Sequence, residues 1–265
     1  MRKLKSIGIM GYGTIGSYIA DKISKEKEGE IKIGFISEKD SRKYQTILEK
    51  KLPLCMKEEI IQKSKEVDLV VETASFEIVN EFAPDILRNT NMIILSISAL
   101  FYYEDLKERL ESITGNAGTK LYIPHGAVLG LDGIFDGRNI WERINITTTK
   151  SPTSFIKYPE QKSLEELGIS GIVYEGPTAG ACKLFPRNVN SHGAVALAAG
   201  SEKTFSKIIA DPTVKNLHKI EAIGSTVIKI EIESGKAGKV TSAHVPESAY
   251  NSILRILEDK GVAII

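Results

Sequence analysis

Two kinds of residue in this chain are suited to chemistry: a glycine-spaced turn near the start and four histidines further along. Gly11-Tyr12-Gly13-Thr14-Ile15-Gly16 follows the apolar run Ile7, Ile9, Met10, and Ile15, Ile19 and Ile23 then recur at four-residue spacing. That order reads as strand, tight turn, helix. A dinucleotide pyrophosphate can rest on such a helix N-terminus, where free amides and the positive end of the helix dipole face it. Gly11 makes the turn, Gly13 lets the backbone approach the phosphates and Gly16 lets the helix lie against the strand, with Thr14 and Ile15 in the same phosphate-facing turn. The histidines are His125, His192, His218 and His244. Oxidation of an amine or alcohol needs a proton acceptor, and imidazole titrates near neutrality. His218 follows a turn opened by Asp211-Pro212, and His125 follows an apolar strand at the cofactor edge, so either fits that role. His192 and His244 read as structural or exposed.

The elements that must position these groups alternate strand and helix from Lys5 to Ile123, which predicts a right-handed parallel sheet. Ile31–Ser37 reads as the second strand, and a ribose-binding group belongs at its end. Glu38 on the ribose hydroxyls would favour NAD, whereas Ser37 with Lys39, Arg42 or Lys43 on a 2′-phosphate would favour NADP; both stay open. Val67–Thr73 is a strand whose following Ala74-Ser75 lies at the ligand-binding sheet edge. Phe76–Asn89 reads as helix, Met92–Ser98 as strand and Tyr102–Leu110 as helix. Beyond Gly130 the texture changes to Thr-rich, alternating strands over Ile140–Thr149, Ile172–Glu175, Lys207–Ala210, Ile220–Ile223 and Val227–Ile232. These predict an open sheet with one face under helices such as Gly193–Ala199. Ser151–Gly168 reads as a mobile connection, Gly235–Gly238 as a flexible turn and Ala249–Leu257 as a closing amphipathic helix.

A chain of 265 residues, 42% apolar and 26% charged, suits one large or two modest soluble domains. A net charge of +1 gives no electrostatic case for nucleic acid or an anionic membrane. Cys55 and Cys182 match no metal or redox spacing and read as free thiols in a reducing compartment. With no signal peptide or spanning apolar run visible, the expected location is cytoplasmic.

Five segments resemble the L-aspartate dehydrogenase family over nearly the whole chain: GYGTIGSYIA, VVETAS, GAVLGLDGI and, more specific, KLFPRNVN followed by ADPTVKNLH. The resemblance implies a Rossmann domain (1–124), with a C-terminal helix (242–265) packing back on it. It also implies an α/β substrate and dimerisation domain (125–241) with an open mixed sheet, as in dihydrodipicolinate reductase, and a homodimer. His218 becomes the acid/base catalyst, and Ala127 and Asn190 become nicotinamide contacts. The implied reaction is NAD(P)-dependent deamination of L-aspartate to iminosuccinate, then oxaloacetate and ammonium, with iminosuccinate available to NAD biosynthesis. Arg187, Lys183, Asn188 and Asn190 are candidate carboxylate donors. The chain departs from the family pattern at His125, Leu129 and Ser191-His192-Gly193, which brings His125 and His192 into the candidate substrate site. The alternatives are another amino or keto acid as substrate, or a dinucleotide-binding protein without turnover.

Overall fold

A computed structural model describes residues 4–214, 216–234 and 244–257. The first half runs β1 (Lys5–Met10), α1 (Thr14–Glu26), β2 (Ile31–Ser37), α2 (Tyr44–Glu49), β3 (Leu54–Cys55), α3 (Ile60–Ser64), β4 (Leu69–Glu72), α4 (Phe76–Ile86), β5 (Asn91–Ile94), α5 (Ala99–Tyr102), α6 (Leu106–Ala117) and β6 (Leu121–Tyr122). The second runs α7 (Leu131–Asp136), β7 (Trp141–Lys150), β8 (Ile156–Lys157), β9 (Lys162–Ser163), β10 (Gly171–Pro177), α8 (Thr178–Leu184), α9 (Asn190–Ala199), β11 (Thr204–Ala210), β12 (Asn216–Gly224), β13 (Val227–Ser234) and α10 (His244–Leu257). Of the described residues, one compact unit takes 4–96, 105–124 and 246–257; the other takes 97–104, 125–234 and 244–245.

In the first unit six parallel strands lie in the order β3-β2-β1-β4-β5-β6. The order reverses at β1, and the crevice outside its carboxyl end is where ligands bind in such sheets. β1 and β4 are near-continuous apolar runs, as strands covered on both faces must be. α1 turns Gly16, Ile19, Ala20 and Ile23 inward and keeps Lys22 and Glu26 outside as an ion pair. α10 belongs to this unit from Pro246 onward, with Glu247 accepting from Tyr18 and Glu26 accepting from Tyr250.

In the second unit the order is β10-β11-β7-β12-β13, mixed because only β11 and β7 run parallel. Period-two alternation gives this sheet a buried face: Ile144, Ile146, Thr148 and Lys150 on β7, Thr204, Ser206, Ile208 and Ala210 on β11, and His218, Ile220 and Ala222 on β12. α8 and α9 pack against it.

Three expectations are corrected. Met92–Ser98 is strand only to Ile94; Ser98 instead opens α5, its hydroxyl donating to the Pro186 carbonyl and its amide to the Asn190 side chain. Tyr102–Leu110 is not one helix, because Asp105 is left-handed (φ 58°) and separates α5 from α6. Ser151–Gly168 is anchored rather than free: β8 and β9 form a hairpin, and Phe155 and Leu164 are buried with Phe185 and Ile208. Gly235–Gly238 and part of 242–265 lie outside the described residues.

Candidate functional site

Among the described residues, each unit contains a concentration of chemically capable groups. In the first, a cavity of about 520 Å³ opens at the carboxyl end of β1 and is bordered by Met10, Gly13, Ser37, Glu38, Ala74 and Ser75. Gly11 sits at φ +99°, and a Cβ there would come within 2.9 Å of Thr73 and Ala74 backbone atoms, so the turn requires glycine. A Cβ on Gly13 would meet nothing within 4 Å. The backbone at the start of α1 therefore faces open space, and no side chain caps its free amides. Together these features fit a dinucleotide pyrophosphate. Thr14 is exposed, Ile15 half-buried and Gly16 buried, all in the first turn of α1.

Two carboxylates shape this cavity's rim. Glu38 accepts from the amides of Tyr12 (2.8 Å) and Asp40 (2.9 Å) and from the Lys43 ammonium (3.0 Å). Burial works to raise its pKa, but those donors hold it below the usual carboxylate range. Arg42, weighed from sequence as a phosphate ligand, forks onto Asp40 through two contacts of 2.8 Å. Glu72, fully buried, accepts from Ala74 N, Leu95 N, Ser96 N and the Ser96 hydroxyl and so fixes the Ala74-Ser75 turn; burial raises its pKa. Ser37 joins through its backbone, its carbonyl accepting from Gly11 N at 2.7 Å.

In the second unit the polar residues on the buried sheet face form one connected group. Thr148 pairs with His218 across β7 and β12, and its Oγ1 lies 2.8 Å from His218 Nδ1 and 2.6 Å from His192 Nε2. His192 comes from α9, and its Nδ1 lies 2.8 Å from Ser206 Oγ. Lys150 follows two residues after Thr148, 7% exposed, with its ammonium 6.0 Å from the Phe155 ring. Its carbonyl accepts from Asp211 N at 2.9 Å, but among the described residues its ammonium has no hydrogen-bond or ion-pair partner. Burial lowers its pKa to about 8. Burial, then the Lys150 charge, lowers His192 to about 3. The same causes, with His192 added, hold His218 well below the usual histidine value. At neutral pH the site is thus a cation beside two neutral imidazoles.

The structure brings His218 and His192 together through Thr148, and it gives several residues that the sequence grouped with them contacts of their own. Asn188 is committed to the chain itself, accepting from Ile156 N (2.9 Å) and donating to Ser154 O (2.6 Å). Asn190 starts α9 and accepts from Ser98 N (3.1 Å). Arg187 and Lys183 are exposed, the former over the Tyr158 ring. His125 and Ala127 are half-buried in a turn where the His125 carbonyl accepts from Val128 N. Sequence reasoning missed Lys150, Thr148, Ser206 and Glu72. A usable signal existed for the first two: in Ile144-Asn145-Ile146-Thr147-Thr148-Thr149-Lys150, Thr148 and Lys150 continue the inward phase of two isoleucines.

Comparison with known proteins yields consistent matches. Residues 11–124 match the family model "Homoserine dehydrogenase, NAD binding domain", and residues 136–256 match "Aspartate dehydrogenase, C-terminal". The chain is 34% identical to an L-aspartate dehydrogenase of Nitrosopumilus maritimus, over 92% of this chain and 89% of that one. It superposes on the crystal structure of an aspartate dehydrogenase from Thermotoga maritima with TM-score 0.74 and 29% identity, covering 98% of each chain. A dihydrodipicolinate reductase from Paenisporosarcina shares the fold at TM-score 0.51 and 9% identity, over 94% of this chain and 95% of that one.

Proposed function

The chain belongs to the L-aspartate dehydrogenase family, and we propose that it oxidatively deaminates L-aspartate with NAD or NADP, through iminosuccinate, to oxaloacetate and ammonium, and runs the reverse amination. The observation that carries this reading is family relatedness across both units, joined to a buried cation beside two neutral imidazoles in the second.

The residues of the first unit fit the cofactor: Gly11, Gly13, Thr14, Ile15 and Gly16 would hold the pyrophosphate, and Ser37 and Glu38 the ribose. Ala74, Ser75, Ala127 and Asn190 would serve the nicotinamide end. When bound, the nicotinamide supplies the two-electron acceptor for the amino acid's Cα–H bond.

What remains is binding and proton handling, and that falls to side chains. The Lys150 ammonium, held out of water without a counter-charge among the described residues, suits a substrate carboxylate, because pairing there offsets an existing desolvation cost. His125 and Arg187 stand as further substrate contacts. His218 is neutral at pH 7 and so holds an acceptor lone pair. It takes a proton from water as the oxygen attacks the imine carbon and returns one to the nitrogen as the C–N bond breaks.

The reading extends to a homodimer. It is supported by half-buried Phe205, Ile209, Leu217 and Ile223 and exposed Ile172, which alternate with the inward residues and share the sheet face away from α8 and α9. It also extends to a cytoplasmic setting, in keeping with the buried free thiols of Cys55 and Cys182, and to supply of iminosuccinate for NAD biosynthesis, which the family resemblance suggests. No helix among the described residues is long and apolar enough to cross a membrane.

The test follows reduced-nicotinamide absorbance with L-aspartate and each cofactor in turn, and with oxaloacetate plus ammonium in reverse. Reduction with aspartate is expected, and His218→Ala is expected to lower kcat by about 10²–10⁴-fold while leaving cofactor binding intact. Turnover only with another amino acid would move the substrate. Cofactor binding without turnover of any amino acid would make the protein a dinucleotide-binding module. Near-normal turnover of the variant would remove His218 from the reaction.

A further inference from the structure

The hydrogen bonds behind His218 run in one direction, and that direction can be traced from a group that allows no choice. Thr178, the first residue of α8 and fully buried, places its Oγ1 3.0 Å from the Thr204 carbonyl and 2.8 Å from Ser206 Oγ. A carbonyl oxygen only accepts, so the single Thr178 hydroxyl hydrogen goes to it. Ser206 must then donate to Thr178. With its hydrogen committed, Ser206 can only accept from His192 Nδ1, 2.8 Å away. His192 is neutral and carries its proton on Nδ1, so Nε2 is a lone pair and Thr148 must donate to it across 2.6 Å. Thr148 has no second hydrogen, so at 2.8 Å it accepts from His218 Nδ1. Each link is buried, where reversing one bond would set two hydrogens or two lone pairs face to face.

We infer that Thr178, Ser206, His192 and Thr148 form a relay of oriented hydrogen bonds that holds His218 in the Nδ1–H tautomer, leaving Nε2 as its proton acceptor. This rests on His218 being the acid/base group and names the atom that acts. A free neutral histidine favours the opposite tautomer, with the proton on Nε2, so the relay imposes its state rather than following it. None of the four residues touches the proton in transit beyond His218; they are positioning residues. The relay also accounts for a histidine in an otherwise small, apolar helix: at position 192 only a side chain with one donor and one acceptor at opposite edges can join Ser206 to Thr148 without reversing the direction.

The deciding experiment observes the two rings in the whole protein without substrate or cofactor. Histidine is labelled with nitrogen-15, and long-range nitrogen–proton correlations distinguish the tautomers; His192→Gln and His218→Asn assign the signals. Both rings are expected as Nδ1–H. His218 found as Nε2–H overturns the inference, whatever substrate the enzyme takes. The second arm cuts the relay at its far end. Thr178→Val keeps the shape but removes the anchoring hydroxyl, freeing Ser206 to donate to His192 and the whole chain to reverse. His218 should move to Nε2–H, and kcat should fall about 10–100-fold, the scale of a mispositioned base, with KM for the amino acid and Kd for the cofactor unchanged. Thr178→Ser, which retains the donor, should restore both readouts. If Thr178→Val does not fold, Ser206→Ala breaks the next link and is read in the same way. A cut relay with His218 still Nδ1–H, or a fall in kcat that Thr178→Ser does not restore, refutes it. Failure to turn over aspartate would instead count against the substrate reading and leave the tautomer result standing.

Discussion

Replacing Lys150 with methionine should make the protein more stable while damaging its function. The lysine's pKa falls from 10.5 to about 8 through burial alone, so at neutral pH folding carries a charge into a site that opposes it. At about 1.36 kcal/mol per pH unit, that depression amounts to about 3 kcal/mol. Against this, the variant gives up the cation's contact with the Phe155 ring at 6.0 Å, worth about 1 kcal/mol. The net expectation is a gain of about 2 kcal/mol, or about 4–8 °C in Tm for a chain of this size. The pH dependence identifies the cause. Because the folded pKa is depressed, the penalty is present in full below about pH 8 and relieved as pH rises from 8 towards 10.5. The stability gap between Lys150→Met and wild type should therefore be widest at pH 7 and narrow above pH 8. Urea denaturation at pH 7, 8, 9 and 10 reads it. At the same time KM for aspartate should rise at least about 10-fold if the ammonium binds a substrate carboxylate. A variant no more stable at pH 7, or a gap that does not change with pH, would show that the lysine is not held charged against its surroundings.

Three further expectations follow, one for the buried imidazoles and two for the glycine turn. His192 and His218 both titrate well below free histidine, so as pH falls below about 6.5 the unfolded chain takes up protons that the folded chain refuses, and each ring removes about 1.4 kcal/mol of stability per pH unit. His192→Gln should flatten the acid limb of stability against pH by about that amount, and parallel limbs would refute it. In the first unit, Gly13→Ala should fold normally but weaken NAD and NADP binding at least about 10-fold, since its methyl occupies space that is otherwise open. Gly11→Ala should instead cost about 1–3 kcal/mol in stability, because its backbone is left-handed and crowded. Wild-type cofactor affinity in Gly13→Ala would dissociate that turn from the pyrophosphate.

The first unit was the more legible in sequence, for a physical reason. Its central strands β1, β4 and β5 are buried on both faces and its glycine turn is set by backbone geometry, so local residue types carry the signal; β2 falls on Ile31–Ser37 as the pattern implied. In the second unit, strand positions were visible but the site was not. Its members, Lys150, Thr148, Ser206, His192 and His218, come from four elements and become neighbours only through sheet register and the seating of α9. A run of threonines ending in lysine looks like an exposed edge, and only the phase it shares with Ile144 and Ile146 hints that Thr148 and Lys150 point inward. Likewise Phe155 and Leu164 lie too far apart for a periodic signal, which is why their segment read as loose.

The same burial that hid the site explains how it works. Polar groups on an apolar sheet face lower the stability of the unit unless each finds a partner. Thr178, Ser206, His192 and Thr148 do so by closing on one another, and their chain ends at His218 with one ring nitrogen satisfied. Lys150 is the member left unmatched among the described residues. On the proposed reading, a substrate carboxylate would offset that cost on binding where an uncharged analogue would not, so part of the selectivity for an anionic amino acid would come from the unfavourable electrostatics of the empty protein rather than from additional contacts. Any change that supplied Lys150 with an internal counter-charge would stabilise the fold and reduce that discrimination, which is why an acidic neighbour there would oppose function even though it improved the folded state.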